Sequence, residues 1–147
     1  MKNEVTQFQV KGEISMWKYI DGAVSDYGWH IYTCPEARKS IISLLQLMRR
    51  TEGASSKAIY LVPPTQEVSQ SPNNYNDLTR YRYKRILFIN SKKDMDNFSI
   101  NENNIIVEII LGESILQKFK RQLVTNYKGQ KNFLTDNKDK DQIITFW

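Results

Sequence analysis

The stretch WHIYTCPEARKSIISLLQLMRR, Trp29–Arg50, decides the fold. Its first five residues alternate, with Trp29, Ile31 and Thr33 on one face of a strand and His30 and Tyr32 on the other. The period then changes. Ala37, Ile41, Leu44, Leu45 and Met48 recur at helical spacing and make one apolar face. Thr33-Cys34-Pro35-Glu36 has the spacing of a capping box, and Pro35 sits in the first turn, where its missing N–H is harmless. Arg49 and Arg50 suit the negative end of the dipole, and Gly53 can serve near the C-terminal cap. A strand running straight into an amphipathic helix therefore sets the unit, and Pro35–Arg50 is predicted as its helix.

Working outward, a second helix is predicted over Glu113–Lys128, with Leu116, Phe119, Leu123 and Tyr127 buried and Gly129 terminating it. Strands are expected at Lys57–Val62, Arg80–Asn90, Ile105–Leu111 and Gln142–Trp147. Ile105–Leu111 is nearly all apolar, as a central strand covered on both faces would be. Val5–Ile20 alternates in part and reads as two short strands, or as one bent at Gly12. Thr65–Thr79 is a long polar loop, and Ser91–Asn104 is a polar connection with a helical turn around Asp94–Phe98. Strands and helices neither alternate regularly nor segregate into an all-β pattern. The expected class is α+β: a mostly antiparallel sheet of about six strands with two helices packed on one face, in a single domain over residues 1–147.

Composition narrows the function classes. The chain has 147 residues, of which 40% are hydrophobic and 25% charged, with a net charge of +5. That is enough apolar material for a core without disulfides or a structural metal. No apolar run reaches the ~18 residues of a membrane span. The first twenty residues lack the basic start and apolar stretch of a secretory signal. The single cysteine, Cys34, cannot form an internal disulfide, so a cytoplasmic setting is expected.

Catalytic constellations are thin. His30 and Cys34 are the only histidine and cysteine. Along an extended strand they would lie ~13 Å apart, so a nucleophile–base pair needs a sharp bend at the junction. Two such ligands fall short of a zinc site, and no cofactor is implied. The six glycines form no phosphate-binding loop. Asp21, Asp26, Asp94 and Asp96 sit in polar, turn-like sequence without the apolar surroundings that raise a carboxyl pKa. The chemistry leans away from an enzyme.

Two binding readings remain. Tyrosine and tryptophan are enriched at protein interfaces, and this small basic domain has them to spare. Its expected role is a non-catalytic protein-interaction module, partner-binding or immunity-like, with Tyr27, Trp29, Tyr32 and Tyr75 as candidate contacts for an unidentified protein partner. The alternative is a weak nucleic-acid-binding or accessory protein. Arg80, Arg82 and Lys84 would form a basic row along one strand face, with Tyr81, Tyr83 and Arg85 on the other. A basic row at a sheet edge also guards against edge pairing.

Overall fold

The computed structural model describes residues 2–18, 29–63, 83–92, 98–103, 105–125, 132–134 and 144–146. Three helices lie in these ranges: α1 (Lys2–Gln7), α2 (Pro35–Arg50) and α3 (Glu113–Thr125). The strands are β1 (Ile14–Lys18), β2 (Trp29–Thr33), β3 (Ser55–Tyr60), β4 (Arg85–Asn90), β5 (Phe98–Asn103), β6 (Ile106–Leu111), β7 (Asn132–Leu134) and β8 (Ile144–Phe146). The architecture is α+β and mostly antiparallel, but the strands divide into two four-stranded sheets, ordered β1-β2-β8-β7 and β3-β4-β6-β5. Only β2–β8 and β4–β6 are parallel. One backbone hydrogen bond, from Val62 N–H to the Ile14 carbonyl at 2.9 Å, joins an edge of the first sheet to an edge of the second.

The helix read from the sequence is found at Pro35–Arg50, with Ala37, Ile41, Leu44, Leu45 and Met48 buried. Its cap is one residue later than the capping box implies. Thr33 is held in the ladder opposite Ile14, so Cys34 becomes the N-cap. Its sulfur accepts from the Ala37 N–H at 3.4 Å and from the Glu13 N–H at 3.2 Å.

The helices α2 and α3 pack against each other over the buried faces of both sheets. Phe119 of α3 makes the junction. Its ring meets Phe88 of β4 edge-on at 5.6 Å and Phe146 of β8 edge-on at 5.2 Å. One aromatic side chain thus ties both sheets to one helix, and edge-to-face geometry adds to the apolar burial. At the other end of α2, the buried Asn90 amide donates to the Met48 carbonyl at 3.1 Å, closing one of the helix's unsatisfied acceptors.

Three segments differ from the sequence reading. Residues 2–7 form a helix, not a strand, because Val5 is buried while α1 packs on β3 and α2. Phe98–Asn103 is a strand despite its polarity: it is the edge strand beside β6, where Asn101 and Asn103 face water. The strand beginning at Arg80 is found from Arg85 onward. The loop Thr65–Thr79 and the turn at Asp94–Asp96 lie outside the described residues, as do Asp21 and Asp26.

A fourth difference concerns β6. It is central, between β4 and β5, and among the described residues its helical cover lies on one face. Val107, Ile109 and Leu111 are buried, whereas Ile106, Glu108 and Ile110 are half-buried on the outer side.

Candidate functional site

His30 and Cys34 are both committed to structure. His30 sits in β2, 1% exposed, with its ring stacked on Trp17 at 5.5 Å and 13°. The register pairs Trp17 directly with His30, so the stack is a cross-strand pair on one face of the first sheet. The Cys34 sulfur is occupied at the start of α2 by two backbone amides. Among the described residues, no group of three or more His, Cys, Asp or Glu side chains could hold a metal ion. No helix there is long and apolar enough to cross a membrane. An open cleft of about 380 Å³ lies beside the end of α2, lined by Glu4, Leu47, Arg50, Thr51 and Glu52. It offers mixed charges, and the Thr51 hydroxyl on its wall donates to the Leu47 carbonyl at 2.7 Å.

The proposed contact residues fall in different places. Trp29 is 2% exposed and meets Tyr83 edge-on at 5.3 Å, so its ring belongs to the core. Tyr32 is half-buried, on the opposite face of β2. Tyr27 and Tyr75 lie outside the described residues, as do Arg80, Tyr81 and Arg82.

The remaining part of the basic segment is described, and its alternation breaks. The N–H groups of Lys84 and Arg85 both donate to the Ile105 carbonyl, at 2.7 and 3.3 Å. Two residues against one is the pattern of a β-bulge, which adds a residue and shifts the faces that follow. Tyr83 and Ile86 are therefore both buried, while Lys84 and Arg85 are both exposed. Arg85 does not share the inward side with Tyr83, as strict alternation implies. Its guanidinium instead lies over the ring of Tyr60 on β3, 5.1 Å from the centroid. Cation and aromatic thus meet on one surface, contributed by different strands.

That corner opens onto a larger feature. Among the described residues, the helices lie on one side of the second sheet. Ladder registers place Ser56, Ala58 and Tyr60 of β3, Arg85, Leu87 and Ile89 of β4, Ile106, Glu108 and Ile110 of β6, and Ser99 and Asn101 of β5 on the other side. Tyr60 is 75% exposed, and Leu87, Ile89, Ile106 and Ile110 are half-buried. Val62 and Ile105, also exposed, extend the apolar ground past the Tyr60 end. Four aliphatic side chains occupy the middle of this face, with serine, asparagine and charge around them. Contiguous exposed apolar surface on a polar rim is what binding surfaces present.

Sequence reasoning missed this face. Its members come from four strands spread along the chain, and only the pairing register shows that they share a side. The one signal available was the apolar run of β6, whose outward Ile106 and Ile110 ask for a cover. No protein-family model, no curated protein and no solved structure matches the chain.

Proposed function

We propose that the chain is a non-catalytic protein-interaction module of the cytoplasm, partner-binding or immunity-like, which docks through the outer face of the β3-β4-β6-β5 sheet. The observation that carries this reading is the row of half-buried Leu87, Ile89, Ile106 and Ile110 on a face over which no helix lies among the described residues. Central strands with apolar residues on both sides normally have both faces covered. A partner's surface supplies that cover. Tyr32, on the other sheet, is a secondary contact.

The test uses a photo-crosslinking residue placed at Ala58 or Asn101, both exposed on this face, and at Ser43, exposed on α2. Irradiation in the source cell should give discrete protein adducts from positions 58 and 101 and not from 43. Equal adducts from all three positions, or none, would remove the reading.

A second reading keeps nucleic acid as the ligand. It is favoured by the Tyr60–Arg85 corner with Lys84 beside it, where an exposed ring can stack a base next to two cations. Each neutralised phosphate on a single strand contributes a slope of about −0.7 in log K against log salt. Binding of a mixed-sequence oligonucleotide through two phosphates should therefore lose about 7-fold between 50 and 200 mM salt. Lys84→Ala/Arg85→Ala should abolish that slope. Tight, salt-resistant binding lost in Tyr60→Ala would move nucleic acid to first place.

A further inference from the structure

The outer face of the second sheet is marked by charge as well as by apolarity. Arg85 has the Tyr60 ring beneath its guanidinium, and no carboxylate among the described residues pairs with it. Glu108 stands half-buried among Leu87, Ile106 and Ile110, and no described residue bonds to its carboxylate. A half-buried carboxylate without a partner is costly, because neighbouring apolar groups strip part of its hydration. Among the described residues, the same face therefore carries a cation and an anion that pair with no opposite charge.

Their positions are fixed by the parallel register. Arg85 lies opposite Ile106, and Leu87 lies opposite Glu108. The four residues make a rectangle of about 4.8 Å across the strands and about 6.6 Å along them. Arg85 and Glu108 occupy one diagonal, and Leu87 and Ile106 the other. A two-fold axis lying in the plane of contact along the Leu87–Ile106 diagonal carries each charge to within about 2–3 Å of the other's position, a gap these long side chains span. A second copy turned about that axis would set its Glu108 over Arg85 and its Arg85 over Glu108. Leu87 would meet Leu87, and Ile106 would meet Ile106. The strands of the two copies would cross at about 70°, close to the orthogonal class of sheet packing. Self-complementarity of this kind is what an isologous contact requires.

We propose that the occupant of this face is a second copy of the chain, so that the protein forms a two-fold dimer through its β3-β4-β6-β5 sheets. The proposal rests on the interaction reading above and names the partner. Both unpaired charges are satisfied at once, and the four half-buried aliphatics gain their cover. The face spans only about 20 Å in each direction, small for a protein interface. Association is therefore reversible and concentration-dependent, in the micromolar range rather than obligate.

Sedimentation velocity of the full chain across roughly 1–200 µM tests this, with circular dichroism and thermal unfolding confirming that each variant folds. Wild type should pass from monomer to dimer. Arg85→Glu and Glu108→Arg should each weaken dimerisation about tenfold or more, since each sets like charges face to face. Mixing the two single variants should restore a heterodimer, because the new carboxylate of one chain then meets the new guanidinium of the other. The double variant Arg85→Glu/Glu108→Arg should dimerise alone. A wild type that stays monomeric throughout, or a dimer indifferent to both single changes, overturns the proposal. A monomer that still crosslinks to a different protein through positions 58 and 101 overturns it too, while leaving the interaction reading intact.

Discussion

Gly12 shows how much one residue can fix. Its φ of +91° lies in the left-handed region, and a Cβ there would come within 2.5 Å of the Ala37 nitrogen and 2.7 Å of the Cys34 sulfur. Only glycine lets the chain before β1 lie this close to the start of α2. The left-handed backbone alone costs an alanine about 1–2 kcal/mol, and the backbone contact cannot yield without moving the helix. Gly12→Ala should therefore lower unfolding free energy in urea by more than about 2 kcal/mol. Gly53 also has positive φ, at +76°, but nothing lies within 4 Å of its missing Cβ. Gly53→Ala should cost only the backbone term of about 1–2 kcal/mol, and the gap between the two variants measures the close approach. At the neighbouring position, Cys34→Ser retains an N-cap acceptor and should leave stability within about 0.5 kcal/mol of wild type, whereas Cys34→Ala should lose about 1 kcal/mol. Equal losses in the two variants would deny the sulfur its capping role.

At the scale of elements, β4 is the strand through which the others communicate. It pairs with β3 and β6, begins in a bulge and ends at Asn90, which is buried under the last turn of α2. Asn90→Ala should destabilise by about 1–3 kcal/mol, because the Met48 carbonyl is left buried without its donor. Asn90→Asp, which removes the donating amide and adds charge, should cost more. Equal stability of wild type and both variants in thermal melts would show the bond to be idle. The same strand shows what a single sequence can and cannot convey. Helix α2 is legible because its apolar period, its proline and its basic end are all local. The bulge at Lys84–Arg85 is not, because it is created by the Ile105 carbonyl about twenty positions later. Likewise Phe98–Asn103 reads as a connection, since an edge strand needs few apolar residues of its own. The outward face formed by Leu87, Ile89, Ile106 and Ile110 depends on β4 and β6 being neighbours, a fact no local pattern encodes. The candidate contacts chosen for aromaticity fared differently. Trp29 went to the core because β2 is a central strand between β1 and β8, where a large ring gains most from burial.

For the molecule as a whole, two sheets share one hydrophobic cluster among the described residues, and Phe119 stands where they meet. Phe119→Ala should cost about 3–5 kcal/mol. It should loosen contacts on Phe88 and Phe146 together, so hydrogen exchange ought to rise in β4 and β8 at once. Faster exchange confined to one sheet would mean that the ring packs chiefly on that side. Outside the core, no described helix covers the outer face of the second sheet or its basic corner, and both proposed ligands, a protein surface and an oligonucleotide, converge on that side.

The parallel pairing of β2 with β8 also has a bearing on synthesis. Trp29 is matched with Ile144, so the two strands meet across almost the whole chain, whereas β4 and β6 lie about twenty residues apart. Contacts so distant in sequence form late. While the ribosome is still translating the intervening stretch, the second sheet can assemble with α2, but β2 keeps one bare edge. That edge carries Trp29, His30, Ile31 and Tyr32 in a run without proline or acidic residues, a template for pairing with another nascent chain. Slow elongation between the codons for β2 and those for β8 would prolong this exposure. Chaperone demand during production should thus track the wait for β8 more than the stability of the finished fold.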